Sequence, residues 1–469
     1  MKRTIIVALL ALATVLLLGG CASGESADVV IIGGGGAGLS AAVEAADNGA
    51  SVILVEKMPM VGGNTNYATG GINAAGTEFQ KALGIEDSPE LFFEDTIKGG
   101  KQENNPDLVR VLTTEAKNSV AWLTSLGADL SDVGRLGGHS VNRTHRPTGG
   151  AAVGGHIVQT LKAAAEDRGV EIRTWTEAIG VLEEDGRVTG IRVRNLQEEK
   201  EYEIAAKAVI MTAGGFGANP DMIVSLDPNL EGFGTTNHKG ATGDAFDLVE
   251  GHSVSLVDME YIQTHPTVVP EKGKMITEAV RGNGAILVNR SGERFVNELD
   301  TRDVVSAAEL EQEGGTALLV FDQGVRESLS AIEKYVEAGL VTEAESLEAL
   351  ADALGIPADG LVATVAEYNG FVEAGSDPEF GRGSMARTLE SAPYYAVEVG
   401  PAVHHTMGGI QIDTDARVIG ENGEPVAAFF AAGECTGGVH GANRLGGNAL
   451  ADIVTFGRIA GRNAAMFAE

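Results

Sequence analysis

Three glycine-rich segments of this acidic chain hold cations and imidazoles at close spacing. The first runs through Gln263, His265, Thr277, Glu278, Arg281 and Arg302. The second is His404 and His405 before Gly408 and Gly409, and the third joins His440 to Arg444, Gly446 and Gly447. Arginine grips a carboxylate through two parallel hydrogen bonds, and glycine lets backbone donors approach the same anion. In a chain of net charge −32, such a concentration suits a small polyanion, a dicarboxylate for example. Each residue alone has a plainer reading. Arg281 and Arg302 could pair with neighbouring acids, and His265, which precedes Pro266, could be a satisfied core imidazole. The three segments together favour a site. Adjacent residues of a strand point to opposite faces, so His404 and His405 would chelate one ion poorly, and no metal is expected. His139, Arg143, His145 and Arg146 make a further basic stretch without an evident role.

A framework to position these groups is legible at the other end of the chain. Val29 to Ile32 is an apolar run that suits a buried parallel strand, and it leads into Gly33, Gly35 and Gly38 in the spacing G-x-G-x-x-G. The alanine-rich stretch from Leu39 to Asp47 reads as a helix, and Val52 to Val55 as a second strand ending at Glu56. In this pattern Gly33 permits the turn, Gly35 admits a pyrophosphate and Gly38 lets helix and strand pack closely. The helix N-terminus attracts the phosphates, and Glu56 is placed to accept hydrogen bonds from a ribose. The pattern predicts a dinucleotide site without saying which dinucleotide.

Composition narrows the partners. Aromatic residues make up 5 % of the chain, and the net charge is −32, which argues against nucleic acid and anionic membrane surfaces. Glycines are clustered at predicted strand–helix turns. Lys2 and Arg3, the apolar run Ile5 to Leu18 and the sequence Leu18-Gly-Gly-Cys21 are similar to a bacterial lipoprotein signal. Residues 1–21 are therefore expected to be a signal, with lipid on Cys21 anchoring an extracytoplasmic protein to the cell membrane. A plain secretory signal or a short membrane anchor is the alternative. The chain has two cysteines, Cys21 and Cys435, and lacks C-x-x-C-H and four-cysteine iron–sulfur patterns. Electrons are expected to come from outside it. Cys435 reads as a small buried filler.

Organisation follows from where the patterns fall. Ala22 to Ala27 reads as a linker, residues 89–126 as helical, 171–210 as strands and turns, and 304–373 as helical with a break at Pro357. Strand, glycine loop and helix recur from Phe429 to Ala465. The fold class expected is α/β, a discontinuous Rossmann-like dinucleotide-binding domain with an inserted α+β capping domain. Its divisions are 22–259 and 405–469 for the binding domain and 260–404 for the cap.

Three motifs are specific: Met275 to Gly284, His404 to Gly409, and Gly433 to Leu450. On them the chain resembles the flavoprotein family of fumarate reductases and succinate dehydrogenases, most nearly the soluble flavocytochrome c type. The resemblance implies FAD as cofactor. It places FAD against Ala37, Glu56, Asn64, Thr65, Gly70 and Gly71. It adds Ala178, Asp244, His405, Glu434, Ala449 and Leu450. Members with covalent FAD use a histidine in the loop that corresponds to 62–71; this chain has Asn64, Thr65 and Asn66 there, which implies non-covalent FAD. The resemblance further implies that Arg444 and His404 grip one carboxylate and that His265 and Thr277, with backbone near Glu278, hold the other. Arg302 would be the proton donor, resupplied through Glu278 and Arg281, and Met275 would pack near the flavin. Relatives that carry haem or covalent FMN domains differ from this chain, which implies a separate redox donor, a cytochrome or a membrane flavoprotein. The expected activity is reduction of fumarate in anaerobic respiration. The alternatives are another enoate, such as urocanate or an aryl acrylate, or a non-catalytic flavin lipoprotein that relays electrons.

Overall fold

The structure, a computed structural model, describes residues 25–270 and 272–469; the expected signal and Cys21 lie outside the described residues. The organising element is the strand Glu25–Ile32, which pairs in parallel with Val52–Val55 on one side and Lys200–Met211 on the other. Its last four residues are buried, as a strand covered on both faces requires. The full sheet has eight strands. Beyond Lys200–Met211 come Arg187–Asn195, Pro425–Ala431 and Arg417–Ile419; beyond Val52–Val55 comes Glu171–Arg173; Thr176–Glu184 pairs with Arg187–Asn195. The helix Gly36–Asp47 packs against the C-terminal helix Asn448–Ala468, where Gly457 and Gly461 meet the backbone of Ala37 and Ala41. That contact brings the start of the last helix beside the glycine turn at residues 33–38.

A second sheet, of six strands, is antiparallel throughout. Its order is Lys274–Met275, Ile262–Val269, Tyr394–Thr406, Ala317–Asp322 and Ile286–Val288, with Thr342–Ala344 also on Tyr394–Thr406. It has its own apolar core, running from Ile276 to Val399, whereas the first core takes residues from Val29 to Val254 and again from Ile410 to Ala468. The long strand Tyr394–Thr406 carries the chain from one core to the other, and His404 and His405 sit at that junction. The molecule is thus an α/β protein with a mainly parallel binding sheet and a second, antiparallel layer.

Two local expectations are corrected. The first strand begins at Glu25, inside the supposed linker, because Glu25 to Ala27 find partners in Ile204 to Ala206. Within 304–373, Ala317–Asp322 is a strand with all six residues buried, and Thr342–Ala344 is another. A short apolar run buried on both faces has no period that separates strand from helix. Pro357 does separate two helices, Leu347–Leu354 and Ala358–Ala374. Among the described residues no helix is long and apolar enough to cross a membrane.

Candidate active site

The glycine turn is built for close approach. Gly33 has φ +99°, and a Cβ on Gly38 would lie 2.0 Å from the Gly33 carbonyl oxygen, so helix and turn touch backbone to backbone. Gly35 differs: a Cβ there would meet nothing within 4 Å. Its backbone therefore faces open space, the cradle a pyrophosphate needs at a helix N-terminus. The cleft beyond it is lined by Gly33, Gly35, Ala37, Glu56, Asn64 and Thr65, with Ala178, Asp244 and Glu434 opposite. Gly38 stays behind the turn. Glu56 borders the cleft with each carboxylate oxygen already accepting a backbone N–H at 2.8 Å, from Gly34 and Met58. Burial pushes this carboxyl up despite both bonds. Asp244 is held by Lys57 at 2.6 Å. Glu434 accepts from the Thr406 N–H at 3.2 Å and from the Asn64 amide at 3.3 Å.

Asn64, Thr65, Glu434 and Ile453 also line a second cavity of about 610 Å³, which continues from the first between the two sheets. Gly70, Gly71, His405, Ala449 and Leu450 line it. Met275, His265, Thr277, Glu278, Arg302, His404 and Arg444 line it as well. The structure thus gathers every expected substrate-gripping residue and leaves Arg281 behind the wall. Arg281 is 1 % exposed and donates to the Glu298 carbonyl at 2.6 Å.

Charge in this cavity is finely arranged. Arg302 donates from Nε to Glu278 Oε2 at 2.9 Å and from Nη1 to Gln263 Oε1 at 3.1 Å. Glu278 Oε1 accepts the Gly137 N–H at 2.6 Å. Burial alone would raise the Glu278 carboxyl, but Arg302, Arg281 and these hydrogen bonds outweigh it and hold it at about 2. Arg444 is lowered to about 9, by burial first and by its neighbour Arg302. His265 and His404 face each other edge to face, ring centroids 4.9 Å apart, and His404 Nδ1 lies 2.6 Å from the Thr236 hydroxyl. Burial and the nearby arginines keep both imidazoles neutral. His265 Nε2 has no partner among the described residues. His405 turns the other way, against His440 at 5.3 Å, as the strand alternation at this pair requires. Among the described residues no group of three or more His, Cys, Asp or Glu side chains is placed to hold a metal ion.

A match to the family model described as "FAD binding domain" spans residues 28–450. The chain is 53 % identical over 433 residues to a fumarate reductase (cytochrome) of Shewanella frigidimarina, covering 92 % of this chain and 76 % of that one. It is 45 % identical to an NADH:fumarate oxidoreductase of Klebsiella pneumoniae, over 91 % of this chain and 46 % of that protein. The open conformation of a flavocytochrome c3 fumarate reductase superposes with a TM-score of 0.79 at 43 % identity, covering 95 % of this chain and 79 % of that chain. The chain belongs to the FAD-dependent fumarate reductase flavoprotein family. FAD is its cofactor, and it is an oxidoreductase acting on CH–CH groups.

Three features at this flavoprotein's cavity were given no role of their own from the sequence: the amide of Gln263 beside it, the Tyr335 hydroxyl and a set of lysines. Gln263 bridges Arg302 and Arg444; its spacing of two from His265 on one strand was the available signal. Tyr335 accepts the Thr277 N–H at 3.0 Å, and burial pushes its hydroxyl up to about 12. Lys272, Lys274 and Lys334 border the cavity with exposed side chains. The unassigned basic stretch is structural. Arg143 is fully buried between Asp87 and Asp95, each at 3.0 Å, and His145 lies 2.8 Å from the Thr77 hydroxyl. Cys435 is fully buried, and burial pushes its thiol up to about 12.

Proposed function

We propose that the protein reduces fumarate to succinate. The observation that carries this reading is the convergence of Arg302, Arg444, His265, His404 and Thr277 on the cavity that adjoins the FAD cleft. The Arg444 guanidinium supplies a charge for one carboxylate of a dicarboxylate, and neutral imidazoles donate hydrogen bonds without adding charge. Arg444 and His404 bind one carboxylate; His265 and Thr277, with backbone near Glu278, bind the other. Drawing charge into a carboxylate polarises the double bond and stabilises the carbanion-like transition state. Bound and reduced, FAD supplies the hydride. Asn64, Thr65 and Asn66, where a covalent attachment would need histidine, hold it without a covalent bond.

Arg302 donates the proton to the second alkene carbon. Arginine stays protonated in ordinary surroundings. Here Arg281 protonates the Glu278 carboxylate as Arg302 gives up its proton, and Glu278 passes that proton to the guanidine, so no neutral guanidine accumulates. The layer built on the second core, residues 260–404, acts as a cap that excludes water from the cavity. Cys21 carries a lipid that anchors the mature protein outside the cytoplasm, and a separate cytochrome or membrane flavoprotein delivers the electrons. A mass spectrum of the mature N-terminus checks the first of these points.

The test of the activity is anaerobic oxidation of reduced methyl viologen by the FAD-loaded protein, scanned across fumarate, urocanate, acrylates and cinnamates. Turnover with fumarate alone supports the assignment, and turnover only with another enoate overturns it. Arg302→Ala should abolish turnover and keep FAD; unchanged turnover would remove Arg302 from the mechanism.

A further inference from the structure

The relay Arg302–Glu278–Arg281 ends at a buried residue, and the structure offers a group beyond it. Glu309 is fully buried near the end of the helix Arg302–Leu310, and neither of its carboxyl oxygens has a hydrogen-bond partner among the described residues. Burying an unpartnered carboxyl is costly, so its presence asks for a reason. Arg302, Ser306 and Glu309 fall at i, i+4 and i+7, one face of the helix, and all three are buried. The Ser306 hydroxyl is also unpartnered, and so are Nε and Nη2 of Arg281. Arg281 is the charged group that acts on the Glu309 carboxyl, and Glu309 acts on Arg281 in return. Two unsatisfied partners of this kind, with no direct bond between them, are what a bridging water would join. The exposed surface begins immediately after Glu309, with Leu310 at 48 % exposure.

We propose that Glu309 is the proton-loading group of the relay, placed between solvent at the end of this helix and the unpaired side of Arg281. Burial pushes its carboxyl well above the usual range, which favours the neutral acid that holds a proton to give. The Glu309 O–H bond breaks as an N–H bond forms on Arg281, directly or through the bridging water. Arg281 in turn has passed a proton to the Glu278 carboxylate, and Glu278 to Arg302. A solvent proton then restores Glu309. One proton enters for each alkene reduced, and no electron moves along this path.

The inference rests on the fumarate-reducing reading, and the experiment separates the two. Glu309→Gln keeps the shape of the neutral acid, and Glu309→Met is an apolar residue of similar length that removes any polar misfit. In FAD-loaded protein with reduced methyl viologen and fumarate, kcat should fall by at least about tenfold in both variants, the scale of a lost proton-transfer step. KM for fumarate and the flavin absorbance should stay unchanged, and the solvent deuterium isotope effect on kcat should grow. Infrared spectra near pH 7 should show a protonated-carboxyl band in the parent that both variants lack. Active parent protein with undiminished kcat in both variants overturns the assignment of Glu309, as does an infrared spectrum from which neither variant removes a band. Parent protein inactive on fumarate overturns the underlying reading instead.

Discussion

The guanidinium groups of Arg302 and Arg444 meet on a single acceptor, the amide oxygen of Gln263, at 3.1 and 3.0 Å. The orientation of that amide is fixed, because its nitrogen donates to Asn443 Oδ1 and to the Arg444 carbonyl, each at 2.7 Å. Two like charges are thereby held together around a neutral group; Glu278 neutralises that of Arg302, and the charge of Arg444 is left for the substrate. Gln263→Glu would place an internal carboxylate between them. It should raise KM for fumarate at least about tenfold, since an ion pair with both arginines competes with the dianion. Steady-state kinetics and fumarate-induced changes in flavin absorbance check this. Gln263→Leu should lower stability by about 2 kcal/mol, since it strands buried donors.

Gly35 and Gly38 should part company on substitution by alanine. At Gly35 the φ is −69° and a Cβ meets no protein atom within 4 Å, so Gly35→Ala should fold normally. The same methyl occupies the space through which the pyrophosphate reaches the backbone, so FAD affinity should fall by at least about tenfold. At Gly38 the methyl would sit 2.0 Å from the Gly33 carbonyl, and the fold itself should suffer. Thermal unfolding of the apoprotein and FAD titration separate the two. A Gly35→Ala protein with undiminished FAD affinity would contradict the cradle.

These cases also show what the sequence could convey. The requirements on Gly33, Gly35 and Gly38 are local, so spacing alone exposed them. The convergence of residues from Ala37 to Leu450 is a property of the whole topology, and only resemblance to a family brought them together beforehand. Gln263 stood in the first segment without a role of its own, because an amide has no charge signature; its role arises from two arginines that the fold delivers from distant segments. Arg143 looked like part of a basic patch, yet Asp87 and Asp95 come from other elements to neutralise it. Ala317–Asp322 passed for part of a helical region because burial on both faces erases periodicity.

Substrate capture should depend on salt. The chain carries a net charge of −32, a field that repels a dianion, but Lys272, Lys274 and Lys334 stand exposed at the cavity. Exposed charges act over about 10 Å at 0.1 M ionic strength and lose reach above it. In the parent protein kcat/KM for fumarate should therefore fall with added salt while saturating kcat stays level. Replacing the three lysines by glutamine should lower kcat/KM at low salt by about tenfold and flatten its salt dependence. An unchanged salt profile in the triple variant would mean that steering comes from elsewhere.

The buried histidines should make the protein fragile towards acid. Burial lowers His139 and His145 to about 4, and it pushes His265, His404 and His405 well below the usual imidazole range. The unfolded chain takes up a proton on each near pH 6.5, which the folded protein refuses. Stability is therefore fully present above that pH and is lost as pH falls, by about 1.4 kcal/mol per histidine per pH unit. For His139 and His145 the loss continues down to about pH 4, where the folded imidazole also protonates. Tm should drop steeply between pH 7 and pH 5. His139→Gln, which removes one of these groups, should reduce the slope of stability against pH by the equivalent of one proton. A His139→Gln protein with the same slope as the parent would show that this imidazole binds protons in the folded protein as readily as in the unfolded chain.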